Sequence, residues 1–327
     1  MTEGGGPRRR QPDPRAFVVV RDGFEGVEGG ALLFDVDGVL VDVRASFRHV
    51  VCEATSRYLG EAGMGIWQVR PFRPEDVRLF KDAGGFGRDW DVAIGATEFF
   101  LWKSKTQDLA DGLDLRDKPP LLADVLRDAR GAGGGLPALR GIFGPDRVPA
   151  DVPRLERWCR QLYAGADLCE RLYGFAPEAW VGRGAVEEEF PLLGKRGRAL
   201  LQGKNVGLLT GRTPAEARLV VERLGLEGTV RNIVSDDGVV PRKPDPASLE
   251  AALRALHEPG GYFFGDTLDD LRTVLRFNEA KGRRAVAAVL CAGGEGSGDP
   301  AEALALGWDL VVPVVDDGIA FVLEPPT

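Results

Sequence analysis

The chain has 327 residues, a formal net charge of −8 and 44% hydrophobic residues. This length allows one large or two ordinary domains, and the apolar fraction is enough for a sizeable core. Proteins that bind nucleic acids neutralise phosphates with clustered positive charge, so the acidic balance argues against a nucleic-acid partner. No apolar stretch reaches the roughly twenty residues that span a bilayer, and the first residues contain no apolar signal core. We therefore expect a cytoplasmic protein without a membrane partner.

The first segment, residues 1–29, is rich in glycine, proline and arginine. This composition predicts a poorly ordered N-terminal arm. The run Arg8–Arg10 could contact an anionic partner or simply be solvated. Phe17–Val20 is apolar enough to pack as an additional strand or as a clasp.

Two aspartates follow the first strongly apolar run, in the segment Leu32–Asp42 (LLFDVDGVLVD). Side chains alternate along a strand, so Asp35 and Asp37 can reach one pocket as the chain leaves a sheet, and Gly38 permits a turn there. Ligands of α/β proteins usually bind at the carboxyl ends of strands. Taken alone, the pattern also fits an ordinary Asp-Gly turn or a calcium-binding loop.

Between residues 43 and 200 the periodicity is mostly helical, which predicts a helical insert. Its most distinctive segment contains FKDAGGFGRDWD, from Phe80 to Asp91. One interpretation is a specificity loop that faces the active site. The other is a helix C-terminus at Gly84 and Gly85 followed by two core aromatics, Phe86 and Trp90. Under the first interpretation the substrate ligands are Lys81 and Arg88.

Two glycine clusters within the insert, residues 131–135 and 141–144, bracket a stretch that fits a mobile loop or an insertion beyond a minimal helical unit. Four cysteines lack the C-x-x-C spacing of a zinc site, so we expect buried free thiols: Cys52, Cys159, Cys169 and Cys291. The two histidines, His49 and His257, are far apart in sequence, and we expect both to be structural.

Two further segments carry groups suited to phosphate. Val206–Arg212 (VGLLTGR) ends an apolar run with Thr210 and Gly211, whose hydroxyl and backbone N–H can hold phosphate oxygens. Val239–Pro246 (VVPRKPDP) then places Lys243 between prolines.

The segment Tyr262–Asp270 (YFFGDTLDD) ends another apolar run in an acidic cluster. Asp266 is the first acidic residue after the run. Asp269 could belong to the same site or cap the helix that is expected to begin near Thr267. The order of aspartate pair, threonine, lysine and acidic cluster is far more specific than any one of these segments.

Strand and helix patterns alternate after residue 200, which indicates a parallel sheet with helices on both faces. We predict a doubly wound, Rossmann-like α/β fold. Its core domain would comprise residues 30–42 and 201–327, and the mostly helical insert would comprise residues 43–200, the position at which the family named below carries its cap domain.

The four segments together resemble the motifs of the haloacid dehalogenase superfamily, which are D-x-D, a Thr or Ser after the second strand, a Lys, and G-D-x-x-x-D. The scaffold and the inserted helices resemble subfamily IA, the phosphoglycolate phosphatase-like branch, although the insert is longer than the compact cap of that branch. The resemblance implies a nucleophile at Asp35, a general acid/base at Asp37 and phosphate ligands at Thr210 and Lys243. Arg212 and Gly211 are candidate substrate ligands beside Thr210.

The resemblance also implies Mg²⁺ as a cofactor. Magnesium prefers oxygen ligands and takes few carboxylates. The residues implied on the metal side are Asp35, Asp266, Asp37 through its backbone carbonyl, and Asp270, which would orient a water or another ligand.

The activity that follows from the resemblance is that of a Mg²⁺-dependent phosphatase acting on a small phosphorylated metabolite through an aspartyl-phosphate. Dehalogenases of the superfamily lack the second aspartate, so Asp37 favours phosphate over halide. Two alternatives stay open: a phosphomutase on the same scaffold, and a ligand-binding protein that has lost catalysis. The substrate and the oligomeric state are not determined by the sequence.

Overall fold

The computed structural model describes residues 18–64, 70–107, 112–178, 181–293 and 299–324. Its strands are β1 (Val19–Val20), β2 (Ala31–Phe34), β3 (Val41–Asp42), β4 (Phe190–Pro191), β5 (Asn205–Leu209), β6 (Val230–Val234), β7 (Gly261–Gly265), β8 (Val286–Cys291) and β9 (Leu310–Val312). Within these described ranges, seven strands form one sheet in the order β1-β9-β8-β7-β2-β5-β6, in which only β1 runs antiparallel to its neighbour.

The helices fall into two groups. Between β3 and β4 lie α1 (Phe47–Glu61), α2 (Val77–Ala83), α3 (Asp89–Thr106), α4 (Gly112–Asp117), α5 (Leu122–Gly131), α6 (Gly135–Phe143) and α7 (Val152–Tyr173). After β4 follow α8 (Lys195–Leu200), α9 (Pro214–Leu224), α10 (Pro246–Leu256), α11 (Leu268–Lys281), α12 (Pro300–Leu306) and α13 (Val315–Leu323). We call residues 43–189, between β3 and β4, the helical insert.

Helices cover the sheet on both faces, which explains why all four residues of β2 are buried. Leu32 and Phe34 belong to a hydrophobic cluster that includes Leu219 of α9. Leu33 belongs to a second cluster that includes Leu249 of α10. The predicted doubly wound α/β fold with a helical insert is confirmed.

Local sequence signals set the ends of the helices that follow the strands. Thr213 and Glu216 form a capping box at the start of α9, with Pro214 at its first position. Asp245 similarly accepts a hydrogen bond from the backbone of α10. Gly225 ends α9 in the left-handed conformation. The loops from β5 to α9 and from β7 to α11 are short, so these two strand ends lie close to the helix starts.

The edge strand β1 pairs antiparallel with β9, as Val19 with Val311 and Val20 with Leu310. The additional strand expected at Phe17–Val20 is thus present over Val19–Val20. Phe17 and Arg8–Arg10 lie outside the described residues.

The glycine-bracketed stretch of the insert is helical, because α6 occupies most of it. The preceding glycine turn packs closely on the chain after α2, where the Gly135 N–H donates to the Gly84 carbonyl oxygen at 2.8 Å. Of the two interpretations offered for this stretch, the mobile loop does not fit, because the stretch forms a helix and a turn. All four cysteines are free and buried, as predicted. No helix within the described ranges is both long and apolar enough to cross a bilayer.

Candidate active site

Three neighbouring parallel strands deliver polar residues to the same edge of the sheet. Asp35 follows β2, Thr210 follows β5 and Asp266 follows β7. In the sheet β2 lies between β5 and β7, with Phe34 in register with both Leu208 and Phe264. After β2 the chain continues first through β5 and β6 on one side, and later through β7, β8 and β9 on the other. The loops diverge at this point, which is where open α/β sheets form their ligand crevice.

Lys243 contacts both the segment that follows β2 and the segment that follows β7. Its Nζ lies 2.8 Å from Asp35 Oδ2 and 2.7 Å from Asp270 Oδ1. Burial raises the pKa of Asp35 to about 7, and Lys243 opposes that effect. Although burial alone would lower the pKa of Lys243, the Asp270 and Asp35 carboxylates raise it above its ordinary range, so its ammonium group stays charged.

The acidic cluster is built around the start of α11. Asp270 Oδ2 accepts hydrogen bonds from the backbone N–H of Asp266 and of Thr267, at 3.1 and 3.0 Å. Thr267 and Asp270 form the capping box of this helix. Asp269, for which a capping role was one interpretation, instead pairs with Arg272 at 3.2 Å.

The donor set fits a hard divalent cation. Asp35, Asp266 and Asp270 are buried, and each offers a carboxylate oxygen within 4.8 Å of the others. Oxygen ligands of this type suit Mg²⁺. The turn at Gly38 approaches this group so closely that a Cβ at this position would lie 2.0 Å from Asp266 Oδ2. The site therefore requires glycine for reasons of both space and backbone conformation, since Gly38 has φ 74°.

Thr210 is buried at the end of β5, and its Oγ1 accepts the backbone N–H of Arg212 at 3.2 Å. Its own N–H donates to the Val234 carbonyl oxygen at 2.9 Å. Gly211 lies under the insert, because a Cβ there would be 3.2 Å from the Gly87 carbonyl oxygen.

Asp37 lies at the opening of the crevice, where its side chain is 26% exposed and is held by Arg212. Arg212 Nε donates to Asp37 Oδ1 at 2.8 Å. The same guanidinium donates to Glu189 Oε1 at 2.8 Å and to the Tyr163 hydroxyl at 2.7 Å. Burial raises the pKa of Glu189, whereas the adjacent Arg212 opposes this effect. Arg212, a candidate substrate ligand, is thus in contact with protein acceptors.

A cavity of about 290 Å³ lies between the strand ends and the helical insert. Residues at and near the strand ends line one part of it, among them Asp35, Asp37, Thr210, Lys243 and Asp266, and the segment after α2 lines another part. Lys81 and Arg88 both border it. Arg88 is held in place by Asp91 at 2.7 Å and by Glu156 at 3.2 Å.

Phe86 and Trp90 belong to the core of the insert, as the second interpretation of this segment expected. Phe86 makes an edge contact with Phe80, with ring centroids 5.0 Å apart. Trp90 packs on Phe47 at 5.4 Å. Phe86 and Trp90 also border the cavity, together with Lys81 and Arg88, so the segment combines core packing with a surface that faces the site.

Two residues near Asp37 escaped sequence reasoning. Glu189 and Tyr163 belong to no motif and lie 26 residues apart, yet the Tyr163 hydroxyl donates to Glu189 Oε1 at 3.0 Å. The only available sequence signal was that Glu189 belongs to the run Glu187–Phe190, at the C-terminal end of the helical insert.

A family model for haloacid dehalogenase-like hydrolases matches residues 185–277. This range contains Thr210, Lys243, Asp266 and Asp270, while Asp35 joins them from β2, outside the range. Over residues 185–277 the chain is similar to the haloacid dehalogenase-like hydrolases.

Two relatives extend the comparison. The phosphoglycolate phosphatase of Rhodospirillum rubrum is 31% identical over 110 residues, which are 33% of this chain and 44% of that protein. The chain thus matches less than half the length of this curated relative. The structure of phosphatase Tt82 from Thermococcus thioreducens superposes with a TM-score of 0.59 at 23% identity, over 90% of this chain and 100% of that one. The likeness of fold to that structure therefore extends through the helical insert.

Proposed function

We propose that this protein is a Mg²⁺-dependent phosphatase of the haloacid dehalogenase superfamily that hydrolyses a small phosphorylated metabolite through an aspartyl-phosphate. The observation that carries the proposal is the contact of Asp35 with the Lys243 ammonium, beside Asp266 and Asp270 at the edge of the cavity. A carboxylate that attacks phosphorus must have its repulsion from the phosphate offset, and this site gathers the groups that do so.

The reaction would proceed in two displacements. In the first, an Asp35 carboxylate oxygen bonds to phosphorus while the ester P–O bond breaks, and Asp37 gives its proton to the leaving oxygen. In the second, Asp37 takes a proton from water, the water oxygen bonds to phosphorus, and the bond to Asp35 breaks to release phosphate. Lys243 and Thr210 would hold the phosphoryl oxygens during both steps.

Asp35, Asp266 and the Asp37 backbone carbonyl would hold the Mg²⁺ ion, and Asp270 would support them. When bound, the ion would neutralise charge on the phosphoryl group. Asp270 already orients Lys243 and the backbone of Asp266 through its hydrogen bonds. The helical insert would exclude water from the cavity while the aspartyl-phosphate exists.

The decisive experiment measures phosphate release across a panel of phosphorylated metabolites that includes phosphoglycolate, sugar phosphates, histidinol phosphate and nucleotides. Wild type is compared with Asp35→Asn, with and without Mg²⁺. Asp128→Asn is the matched control, because Asp128 is exposed on α5 away from the cavity. We expect Mg²⁺-dependent release that Asp35→Asn abolishes and Asp128→Asn retains.

The same samples separate the rival activities. Conversion of a sugar 1-phosphate to its isomer without free phosphate would replace the proposal with a phosphomutase. Saturable ligand binding by wild type and Asp35→Asn alike, without turnover, would indicate a non-catalytic protein.

A further inference from the structure

Glu189 and Arg212 form a buried ion pair beside Asp37 that the proposed mechanism does not use. Arg212 Nη2 lies 2.8 Å from Glu189 Oε1 and 2.6 Å from Asp37 Oδ1. The side chains of Arg212 and Glu189 are 1% and 3% exposed. One guanidinium therefore links a fully buried carboxylate to the partly exposed carboxylate that faces the cavity.

Arg212 has little freedom to turn. Its guanidinium lies 5.2 Å from the ring centroid of Phe47 and 5.8 Å from that of Tyr163. These two rings stack on each other with centroids 4.6 Å apart. A guanidinium presents its donors in a fixed planar fork, so fixing its plane also fixes the edge that Asp37 meets.

The pair also lies where the helical insert leaves β3 and returns to β4, the two strands of a small separate sheet. Glu189 immediately precedes β4, and Ser46 lies shortly after β3. These two strands pair with each other. Ser46 Oγ donates to Glu189 Oε1 at 3.3 Å. Both connections of the insert thus meet at the carboxylate that holds Arg212.

We propose that Glu189 and Arg212 are positioning residues that hold Asp37 for proton transfer and tie it to both connections of the helical insert. The inference rests on the proposed phosphatase function. Proton transfer requires Asp37 within hydrogen-bond reach of the leaving oxygen and later of water, and an exposed carboxylate without a fixed partner would sample several rotamers. Arg212 on this view acts through Asp37 and does not bind substrate.

The test is a pair of double-mutant cycles on the best substrate of the panel, with Mg²⁺ present. Glu189→Gln and Arg212→Lys are each made in wild type and in Asp37→Asn, and kcat and KM are measured. We expect Glu189→Gln to lower kcat about tenfold and Arg212→Lys about 10²-fold, with KM within about twofold. In the Asp37→Asn background both substitutions should leave kcat unchanged, because their effect passes through Asp37.

Glu98→Gln is the matched control. Glu98 is likewise a buried glutamate of the insert held by two arginines, Arg140 at 2.9 Å and Arg147 at 2.8 Å, but it does not border the cavity. It should leave kcat and KM at wild-type values. Thermal unfolding of each variant identifies any that fails to fold, and if Arg212→Lys does so, the Glu189→Gln cycle decides alone.

Each possible result has a definite meaning. Equal losses of kcat in both backgrounds, or unchanged kcat in the single variants, would overturn the inference. A raised KM at unchanged kcat would restore Arg212 as a substrate ligand. If Asp37→Asn has no measurable turnover, the separation of kcat from KM in the single variants decides. If wild type releases no phosphate at all, the proposed function fails, and this inference fails with it.

Discussion

Asp35 lies in a site that disfavours the charged form of its carboxyl group when no metal ion is bound. Burial is the main reason that its pKa rises from 3.8 to about 7. The folded protein consequently binds a proton more tightly than the unfolded chain does. Between pH of about 4 and 7, the free energy of unfolding of the metal-free protein should fall as pH rises.

The first prediction concerns the stability of Asp35→Asn in a chelator. Asparagine cannot ionise, so this variant should lack the decline and be more stable than wild type at pH 8 by up to a few kcal/mol. The difference should shrink as the pH is lowered toward 4. Calorimetric unfolding at several pH values measures it. A variant less stable than wild type at pH 8 would contradict the prediction.

Gly38→Ala should damage the metal side of the site. The added Cβ would meet Asp266 Oδ2 at 2.0 Å, and relief of that contact must displace the carboxylate. We expect Mg²⁺ affinity, measured by titration calorimetry, to fall by at least about tenfold, as for disturbed ligand orientation. Gly63→Ala is the matched control, since Gly63 also has positive φ, 81°, but a Cβ there meets nothing within 4 Å. Equal losses in the two variants would attribute the effect to backbone strain alone.

The sequence identified candidate residues whose side-chain chemistry the proposed reaction requires. It did not identify the residues that contact and position them. Asp35, Thr210, Lys243 and Asp266 each stand beside a strand or proline signal, and the sheet brings them to one edge. Glu189 carries no such signal, because its role depends on contacts across the fold. Whether each of these residues acts as proposed awaits the variants above.

Among the elements, the turn between α5 and α6 packs against Gly84 and Gly85, which line the cavity. A Cβ on Gly134 would lie 2.4 Å from the Gly84 carbonyl oxygen, so the two glycine turns interlock by backbone contact. Gly134→Ala must push this segment away from its position beside Lys81 and Arg88. We expect KM to rise about tenfold or more while kcat changes less, because binding geometry is disturbed and the proton-transfer groups are not.

Gly133→Ala provides the comparison for this element. Gly133 has φ 100° against 77° for Gly134, but a Cβ on Gly133 meets nothing within 4 Å. Steady-state kinetics on both variants should show the rise in KM only for Gly134→Ala. If Gly133→Ala matched it, the interlock would not be the cause.

Lys81 lies on α2 and borders the cavity that Asp35 and Asp37 also line. If it binds substrate, Lys81→Ala should lower kcat/KM roughly 10-fold to 10²-fold, because a charged group loses its hydrogen-bonding partner. Lys105→Ala, at the exposed end of α3 beside Asp146, should leave it unchanged. An unaltered kcat/KM in Lys81→Ala would remove Lys81 from the substrate ligands.

Elements with strong periodicity or end signals were predictable, and those defined by packing were not. The helices after β5 and β6 begin at Asp or Thr followed by Pro, which the sequence displays. The glycine clusters around α6 have the composition of a loop, yet close backbone contact with Gly84 and Gly85 requires glycine there. Composition alone does not distinguish a flexible glycine-rich loop from a segment in which close backbone packing leaves no room for a side chain.

At the scale of the whole molecule, one hydrophobic cluster runs from the sheet into the insert. It contains Phe34 and Leu219 near the sheet together with Phe99 and Leu155 of the insert. Because the two parts share this cluster, we expect a single cooperative unfolding transition. Calorimetric and van't Hoff enthalpies should then agree. Two resolved transitions would contradict this expectation.

Glu98→Gln sharpens this test because its side chain is deep in the insert. Weakening its ion pairs should lower the temperature of the whole transition, including the signal from the sheet. The alternation of strands and helices predicted a parallel sheet. It did not predict the strand order or the meeting of both insert connections at Glu189, since both depend on long-range contacts.

The contacts of Arg212 limit how this protein could be recombined with its relatives. Arg212 belongs to the sheet side of the chain, whereas Glu189 and Tyr163 belong to the insert. An exchange of residues 43–189 for the equivalent segment of another protein would remove two of its partners and leave a buried cation beside Asp37 alone. A chimera of this kind needs a carboxylate at the second junction, so the insert is not an interchangeable module.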